Sequence, residues 1–275
     1  MPATCRSARS QPFAGEGWAV GWRGYIDRRH GAVFFWSQKA ACTTLFELLA
    51  DNMRERPAAK RYFHSHSTPG HRCRRVIEQE GLLAVILARH PASRAVSAYI
   101  NKFCLYRGQR LETRAALEPF AQDLHDRFVT WSGGTPSEED ANVLTFEQFL
   151  ETVARMQAEK KKPWLPINGH WETQVPPGLG DTGFRYDEIV HVERLEEELS
   201  ALAGRMGMKW RSRTLNRSPV AKAPHQGYLG DIPARDVASH AFGHGNFLSD
   251  ATLARIAEIY APDYDMFGYP LAPEA

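Results

Sequence analysis

The sequence predicts an α/β fold in three layers, with a central parallel sheet covered by helices on both faces. Two short apolar runs, Ala32–Trp36 and residues 82–88, have the composition of buried strands, and each is followed by a segment with helical spacing. A third strand and helix are predicted over residues 189–192 and 193–206. Because strands that alternate with helices along a chain pair in parallel, these units predict one parallel sheet.

Helical periodicity and helix-ending residues place the first helices. Apolar residues recur at helical spacing through residues 43–56, and Gly81 closes a helix that contains residues 76–79. Pro91 opens the next helix. That helix carries an apolar stripe made of Ala95, Val96, Tyr99, Ile100 and Phe103.

Three further segments complete the predicted elements. Residues 61–63 are predicted to form a second short strand, and residues 111–134 are predicted to be helical. Thr145 begins another helix, because it is a hydroxyl residue directly before an apolar run with helical spacing.

Length, charge and cysteine content are those of an ordinary globular protein. The 275 residues include 43% hydrophobic and 24% charged residues, with a formal net charge of +2. We expect one domain over residues 18–275, preceded by a flexible arm over residues 1–17. The absence of a transmembrane-length apolar run or a signal-peptide core predicts a cytoplasmic protein. The 4 cysteines form no Cys-x-x-Cys pair, so neither a zinc site nor a disulfide framework is predicted.

The junction between the first strand and its helix has the features of an anion site. Lys39 follows the strand, and the hydroxyl residues Thr43 and Thr44 lie where the helix begins. Helix-start N–H groups, here including those of Ala41 and Cys42, favour a bound anion. The Gly-x-x-x-x-Gly-Lys-Ser/Thr motif of a nucleoside-triphosphate loop is absent.

A second basic residue occupies the next strand–helix junction. Arg89 follows the strand, Pro91 starts the helix, and Ser97 lies two turns along it, while Ser97 and Arg94 fall outside the apolar stripe. Ligands of open parallel sheets bind at the carboxyl ends of the strands, so Lys39 and Arg89 should face one crevice. Two such anion sites suit a ligand with two phosphate-like groups.

Together the two junctions resemble the nucleotide motifs of sulfotransferases that use 3′-phosphoadenylyl sulfate (PAPS), especially the carbohydrate-type branch. The resemblance implies a P-loop-NTPase-like sulfotransferase fold, PAPS as donor, 3′-phosphoadenosine-5′-phosphate (PAP) as product, and no metal. It also implies that Lys39, Thr43 and Thr44, with the backbone at Ala41 and Cys42, hold the 5′-phosphosulfate. Arg89 and Ser97 would then hold the 3′-phosphate. Gln38 departs from the family, which usually has proline before the lysine.

The segment Arg-Tyr-Phe-His-Ser-His at residues 61–66 resembles one in heparan sulfate 2-O-sulfotransferases. The resemblance implies that His66 is the general base, which a sugar hydroxyl needs because it is a poor nucleophile at neutral pH. His64 is the alternative, since alternate residues of an extended segment share a face.

Two later segments are candidates for covering the donor and for binding the acceptor. Asn216, Arg217 and Ser218 lie in a basic stretch that suits a loop over an anionic donor. His170 and Trp171 belong to a His-Trp-x-x-Gln segment that resembles one in carbohydrate sulfotransferases, and an aromatic beside polar groups can contact a sugar. Trp171 could equally belong to the core. The lysine run at residues 160–162 could meet an acidic glycan or be a solvated helix end.

The sequence therefore predicts transfer of a sulfonate group from PAPS to a hydroxyl of an acceptor, with a glycan or glycoconjugate expected. The alternatives are a P-loop-type phosphotransferase and an inert nucleotide- or glycan-binding module on the same fold. No DNA-binding motif accompanies the basic segments, so nucleic acid is not expected as a partner.

Overall fold

The computed structural model describes residues 22–162, 165–212 and 225–273. Its central sheet has 5 strands in the order β3-β1-β2-β4-β7. These strands are β1 Arg23–Asp27, β2 Ala32–Trp36, β3 Thr68–Pro69, β4 Leu83–Ala88 and β7 Glu188–His191. A separate hairpin pairs β5 Leu105–Tyr106 with β6 Gln109–Arg110. The predicted α/β class is confirmed, and the predicted strands at 82–88 and 189–192 differ from β4 and β7 by only a residue at their ends.

The sheet is parallel on one side and antiparallel on the other. β2, β4 and β7 pair in parallel, whereas β1 runs antiparallel to both β2 and β3. The predicted parallel sheet is therefore confirmed for β2, β4 and β7, whereas the antiparallel side formed by β1 and β3 was not predicted. The antiparallel pairing of β1 with β2 is caused by the short turn between Asp27 and Ala32, in which Gly31 adopts a φ of 71°, because so short a connection joins only antiparallel strands.

Ten α-helices are described in these residues. They are α1 Cys42–Asp51, α2 Ala59–Ser65, α3 Gly70–Glu80, α4 Pro91–Tyr99, α5 Pro119–Trp131, α6 Phe146–Ala158, α7 Leu195–Arg205, α8 Ala234–Val237, α9 Asp250–Ile259 and α10 Ala261–Phe267. A π-helical turn, Ile100–Cys104, continues α4. Thr145 caps α6 as predicted, with its hydroxyl accepting from the backbone N–H of Gln148.

Two predicted elements are wrong. Residues 61–63 lie within α2 and are not a strand, because Ala59 and Phe63, at 4% and 0% exposure, are buried at i, i+4 spacing on one helical face. In the predicted helix 111–134 only α5 is α-helical. Pro119 stands at the first turn of α5, where proline is tolerated, and a helix running through it from residue 111 would be broken.

The alternating side chains of the central strands supply cores on both faces of the sheet. Phe34 and Leu87 pack with α1, α2 and α7, while Phe35 and Ile86 pack in a second cluster on the other face, with residues of α3 and α10. A third and larger cluster joins α4, α5, α6 and α9. The predicted three-layer arrangement is thus confirmed, and none of the helices in residues 22–162, 165–212 and 225–273 is long and apolar enough to cross a membrane.

Gly24 in β1 offers a test of this packing. A Cβ placed there would lie 3.1 Å from both Cys73 Sγ and the Phe34 carbonyl oxygen. We expect Gly24→Ala to lower the free energy of unfolding by about 1–3 kcal/mol, as overpacking does. Gly204→Ala in α7 is the matched control, because a Cβ added there would meet no described atom within 4 Å apart from its chain neighbours and the backbone of its own helix. It should stabilise the helix by up to about 1 kcal/mol. Urea unfolding midpoints measure both, and equal effects would contradict the described packing.

Candidate active site

The turn between β2 and α1 holds two non-glycine residues in left-handed backbone conformation. Lys39 has a φ of 67° and Ala41 a φ of 52°. Each such residue costs roughly 1–2 kcal/mol, so the surrounding structure must hold the turn in place. The Ala41 carbonyl oxygen accepts from the N–H groups of Thr44 and Leu45. As at any helix N-terminus, the first N–H groups of α1 lack the backbone carbonyl acceptor one turn back that later N–H groups have.

Arg94 is the side chain that holds this turn. It is only 1% exposed. Its Nε donates to the Gln38 carbonyl oxygen at 3.0 Å, and its Nη2 donates to the Gly169 carbonyl oxygen at 3.1 Å. Its Nη1 is buried without a hydrogen-bond partner among the described residues. The sequence pattern left Arg94 outside the apolar face of α4 but gave no sign that it joins these two segments.

Arg89, in the second predicted anion motif, contacts the turn that contains the first. Its Nη1 donates to the Lys39 carbonyl oxygen at 3.1 Å. The register of β2 and β4, in which Trp36 pairs with Leu87, ends both strands at the same edge of the sheet. The structure thus brings Lys39 and Arg89 together at one edge of the sheet, as the predicted topology requires.

The Gln174 side chain ties the two strand ends together. Its Oε1 accepts from the Arg89 backbone N–H at 2.9 Å and from Ser37 Oγ at 3.3 Å, and its Nε2 donates to the Arg89 carbonyl oxygen at 2.8 Å. Asp263 accepts from the backbone N–H groups of Gln174 and Val175. Burial raises the pKa of Asp263 to about 7, although nearby Arg94 and these hydrogen bonds oppose the shift.

Positive charge accumulates at this edge. Burial lowers the pKa of Lys39 to about 7, and the charges of Lys102, Arg89 and Arg94 add to the effect. Burial also lowers the pKa of Arg89 to about 10, with Glu193 opposing and Arg94 adding to the shift. Lys102 forms an ion pair with Glu118 at 2.5 Å. Over the described residues, no carboxylate forms an ion pair with Lys39, Arg89 or Arg94.

His244 joins this cluster from a distant part of the chain. It lies in a 3₁₀ turn, His244–Phe247, and its Nε2 is buried without a hydrogen-bond partner among the described residues. Burial, followed by the charges of Arg89 and Lys39, lowers its pKa to about 4. Lys39, Arg89 and Arg94 form no ion pair among the described residues, and Arg94 Nη1 and His244 Nε2 have no hydrogen-bond partner there. This group of side chains fits an anionic ligand that carries phosphate groups.

The remaining predicted donor residues lie on the helices that start at this edge. Thr43 and Thr44 are in the first turn of α1, and Thr44 is 4% exposed; Ser97, on α4 with Arg94, is 2% exposed. Cys42 begins α1 as a free thiol, and burial raises its pKa. Asn216, Arg217 and Ser218 lie outside the described residues. Among the described residues, no group of His, Cys, Asp and Glu side chains is arranged to hold a metal ion.

His64 and His66 are not arranged as expected. They lie at the end of α2 and not in an extended segment, so the shared face predicted from alternation is wrong, because i, i+2 residues do not face each other at helical spacing. His66 is exposed, stacks on Tyr62 at 4.1 Å, and donates through Nδ1 to the Tyr62 carbonyl oxygen at 3.0 Å. His64 is exposed beside Phe46, and burial together with Lys60 lowers its pKa.

The His-Trp segment places its two aromatic residues differently. Trp171 is 1% exposed and packs with Phe103 and Phe149, so it belongs to the core. The expectation that Trp171 contacts a sugar is corrected accordingly. His170 is half-buried beside the cation cluster. Glu172, which follows, pairs with Lys160 at 2.6 Å. The first residue of the predicted lysine run is therefore structural.

Comparison with known proteins gives one finding. A model of the family described as "Sulfotransferase family" matches residues 22–270. That range includes both anion motifs, the histidines of α2 and the His-Trp segment. The searches of curated proteins and of solved structures returned no significant match.

Proposed function

Since the chain belongs to the sulfotransferase family, we propose that it transfers a sulfonate group from PAPS to a hydroxyl group of a carbohydrate acceptor. The observation that carries the choice of donor is the meeting of Lys39 and Arg89 at one sheet edge without a paired carboxylate. A donor with phosphate groups at both ends supplies the negative charge that these side chains lack. When bound, it supplies the sulfonate group together with its phosphate leaving group.

In this proposal the β2–α1 turn serves the reacting end of the donor. Lys39, the hydroxyls of Thr43 and Thr44, and the N–H groups at Ala41 and Cys42 bind the 5′-phosphosulfate. The Lys39 ammonium stabilises the negative charge that develops on the leaving phosphate oxygen, and the strained turn fixes its position before reaction.

The other donor contacts are assigned to the junction between β4 and α4, to α4 itself, and to the basic stretch that contains residues 216–218. Arg89 and Ser97 bind the 3′-phosphate, and Asn216, Arg217 and Ser218 cover the nucleotide. His66, with His64 as the alternative, stays the base that is predicted from the sequence resemblance. Removal of the acceptor proton by a histidine contributes about 10²–10⁴-fold to the rate in comparable reactions.

Calorimetric titration tests the donor. We expect PAP to bind in the presence of EDTA, and we expect no binding of ATP with or without magnesium. Binding of ATP with magnesium, and not of PAP, would favour the phosphotransferase instead, because that chemistry relies on magnesium bridging the phosphates. Binding of neither nucleotide would contradict the assignment of this site.

Protonation of Lys39 gives a second, pH-dependent prediction. In the free protein its pKa is about 7, whereas bound phosphates favour the charged ammonium and raise that pKa. At a pH between the Lys39 pKa of the free protein and that of the PAP complex, Lys39 must take up a proton when PAP binds. The affinity for PAP is therefore highest below pH 7 and falls as the pH rises. At pH 8 we expect uptake of about one proton per PAP bound.

Calorimetry in buffers of different ionisation enthalpy measures this uptake. Lys39→Arg is the control, because a guanidinium stays charged at pH 8 in both states and should abolish the uptake. His170 and His244, with pKa values of about 3 and 4 in the free protein, start neutral at this pH. Wild-type binding without proton uptake would contradict the described environment of Lys39.

A further inference from the structure

Asp263 is a buried carboxylate whose hydrogen bonds, among the described residues, all come from one short segment. It lies in α10 and is 0% exposed. Its Oδ1 accepts from the backbone N–H groups of Gln174 at 2.7 Å and Val175 at 3.2 Å, and its Oδ2 accepts from Gln174 Nε2 at 3.3 Å. No ion pair of Asp263 is found within the described residues. Because burial of an unpaired carboxylate is costly, these hydrogen bonds are what holds it there.

The carboxylate helps to fix the direction in which the Gln174 amide points. At pH 8, above its pKa of about 7, Asp263 is ionised and its oxygens only accept hydrogen bonds. The part of the Gln174 amide that faces Oδ2 must therefore be the NH₂ group, which also donates to the Arg89 carbonyl oxygen. The amide oxygen is then directed at the Arg89 backbone N–H. A flipped amide would set donor against donor and acceptor against acceptor at Arg89.

The position of Arg89 depends on this amide. Gln174 binds the Arg89 backbone on both sides, at 2.9 Å to the N–H and at 2.8 Å to the carbonyl oxygen. The Arg89 guanidinium in turn donates to the Lys39 carbonyl oxygen at 3.1 Å. A continuous set of hydrogen bonds therefore runs from α10 to the cation that is assigned to the 3′-phosphate.

The charge of Asp263 by itself would not favour an anionic ligand. Burial raises the pKa of Asp263, and the charge of Arg94 is the largest influence that opposes the shift, so the carboxylate lies near a cation of the site. A negative charge beside such cations weakens their attraction for a phosphate. A buried carboxylate at this place therefore lowers anion affinity unless its hydrogen bonds contribute more than its charge removes.

We infer that Asp263 is a positioning residue for the donor: by orienting the Gln174 amide, it holds the Arg89 backbone, and with it the Arg89 guanidinium, in place for the 3′-phosphate. This inference rests on the proposed function, in which Arg89 binds that phosphate. In this role the carboxylate contacts neither donor nor acceptor. It strengthens donor binding and leaves the transfer step to the residues of the β2–α1 turn.

Calorimetric titration of Asp263→Asn with PAP at pH 8 tests the inference. An asparagine that keeps its oxygen on the two backbone N–H groups sets its NH₂ group against that of Gln174. We expect PAP to bind about 10-fold more weakly, the effect of one lost buried hydrogen bond. Removal of the charge alone would have the opposite sign and tighten binding. Asp265→Asn is the matched control, because Asp265 is exposed on the same helix, and its affinity for PAP should equal that of the wild type.

A double-mutant cycle with Arg89→Ala separates positioning from a general structural effect. If Asp263 acts through the Arg89 guanidinium, Asp263→Asn should cost no further PAP affinity once Arg89 is alanine. Urea unfolding shows whether each variant is folded before titration. Asp263→Ser decides the result if Asp263→Asn does not fold, because serine removes the Oδ2 acceptor and sets no N–H group against the amide. We expect the same weakening of PAP binding, again absent in the Arg89→Ala background.

Failure of this inference and failure of the proposed function give different results. PAP affinity equal to or tighter than that of the wild type in a folded Asp263 variant would overturn the positioning role. An undiminished loss in the Arg89→Ala background would overturn it as well, because Asp263 would then not act through Arg89. Both results leave the sulfotransferase proposal intact. A wild-type protein that does not bind PAP would overturn the proposed function, and the positioning role with it.

Discussion

Lys39→Ala is expected to lower kcat for sulfonate transfer by about 10²–10³-fold, the usual effect of removing one preorganised group that stabilises a developing oxyanion. The ammonium is half-buried in a turn whose backbone is strained at Lys39 itself, so solvent cannot easily take its place. Steady-state kinetics with saturating PAPS measure the loss. Arg89→Ala should instead raise the KM for PAPS more than it lowers kcat, because Arg89 is assigned to the far phosphate.

Lys161→Ala is the matched control for Lys39→Ala. Lys161 is exposed and lies in the lysine run that follows α6. Loss of one exposed positive charge there should leave both kcat and KM unchanged. Equal kinetics for Lys39→Ala and Lys161→Ala would remove Lys39 from the reacting end of the site.

Gln174→Ala is expected to lower the free energy of unfolding by about 3 kcal/mol, since each buried polar group left without its partner costs about 1–3 kcal/mol. The substitution removes the side-chain amide that hydrogen-bonds both the backbone N–H and the backbone C=O of Arg89. The Ser37 hydroxyl loses its acceptor as well. Because these groups lie where β4 and β2 end, donor binding should weaken together with stability.

Gln109→Ala, on the exposed β5–β6 hairpin, is the control for this prediction. Urea unfolding gives the stability of both variants, and calorimetry gives their affinity for PAP. A Gln174→Ala protein with wild-type stability would show that the hydrogen bonds of Gln174 between the ends of β2 and β4 contribute nothing to the free energy of unfolding. Loss of stability without loss of PAP affinity would show that Arg89 needs no such support.

Local signals were sufficient to predict the elements that build the crevice. The apolar run of β2 and the proline that opens α4 are properties of neighbouring residues, and both elements begin where the sequence predicts. The α2 helix was mistaken for a strand because its aromatic pair, Tyr62 and Phe63, favours strands locally. Burial of Ala59 and Phe63 against α1 decides its conformation, and that contact is tertiary.

The candidate site likewise contains residues that the sequence predicts and residues whose roles depend on tertiary contacts. Lys39 and Arg89 were predictable because each follows a strand, and the topology of a parallel sheet brings strand ends together. The sequence analysis did not predict the roles of Arg94 and Gln174, and it did not identify His244, since these roles come from contacts between distant segments. Gln174, for example, is separated from Arg89 by 85 positions. The buried position of Trp171 also depends on tertiary packing, which a His-Trp pair alone does not encode.

The most direct test of the central claim is transfer of a labelled sulfonate group from PAPS to a panel of carbohydrate acceptors, in the presence of EDTA and with Lys39→Ala in parallel. The proposed chemistry predicts label on a carbohydrate hydroxyl with the wild-type protein, an equal amount of PAP, and strongly reduced label with the variant. Tight PAP binding without label on any acceptor would contradict it and indicate a nucleotide-binding module. Equal labelling by the wild type and Lys39→Ala would contradict the assigned site.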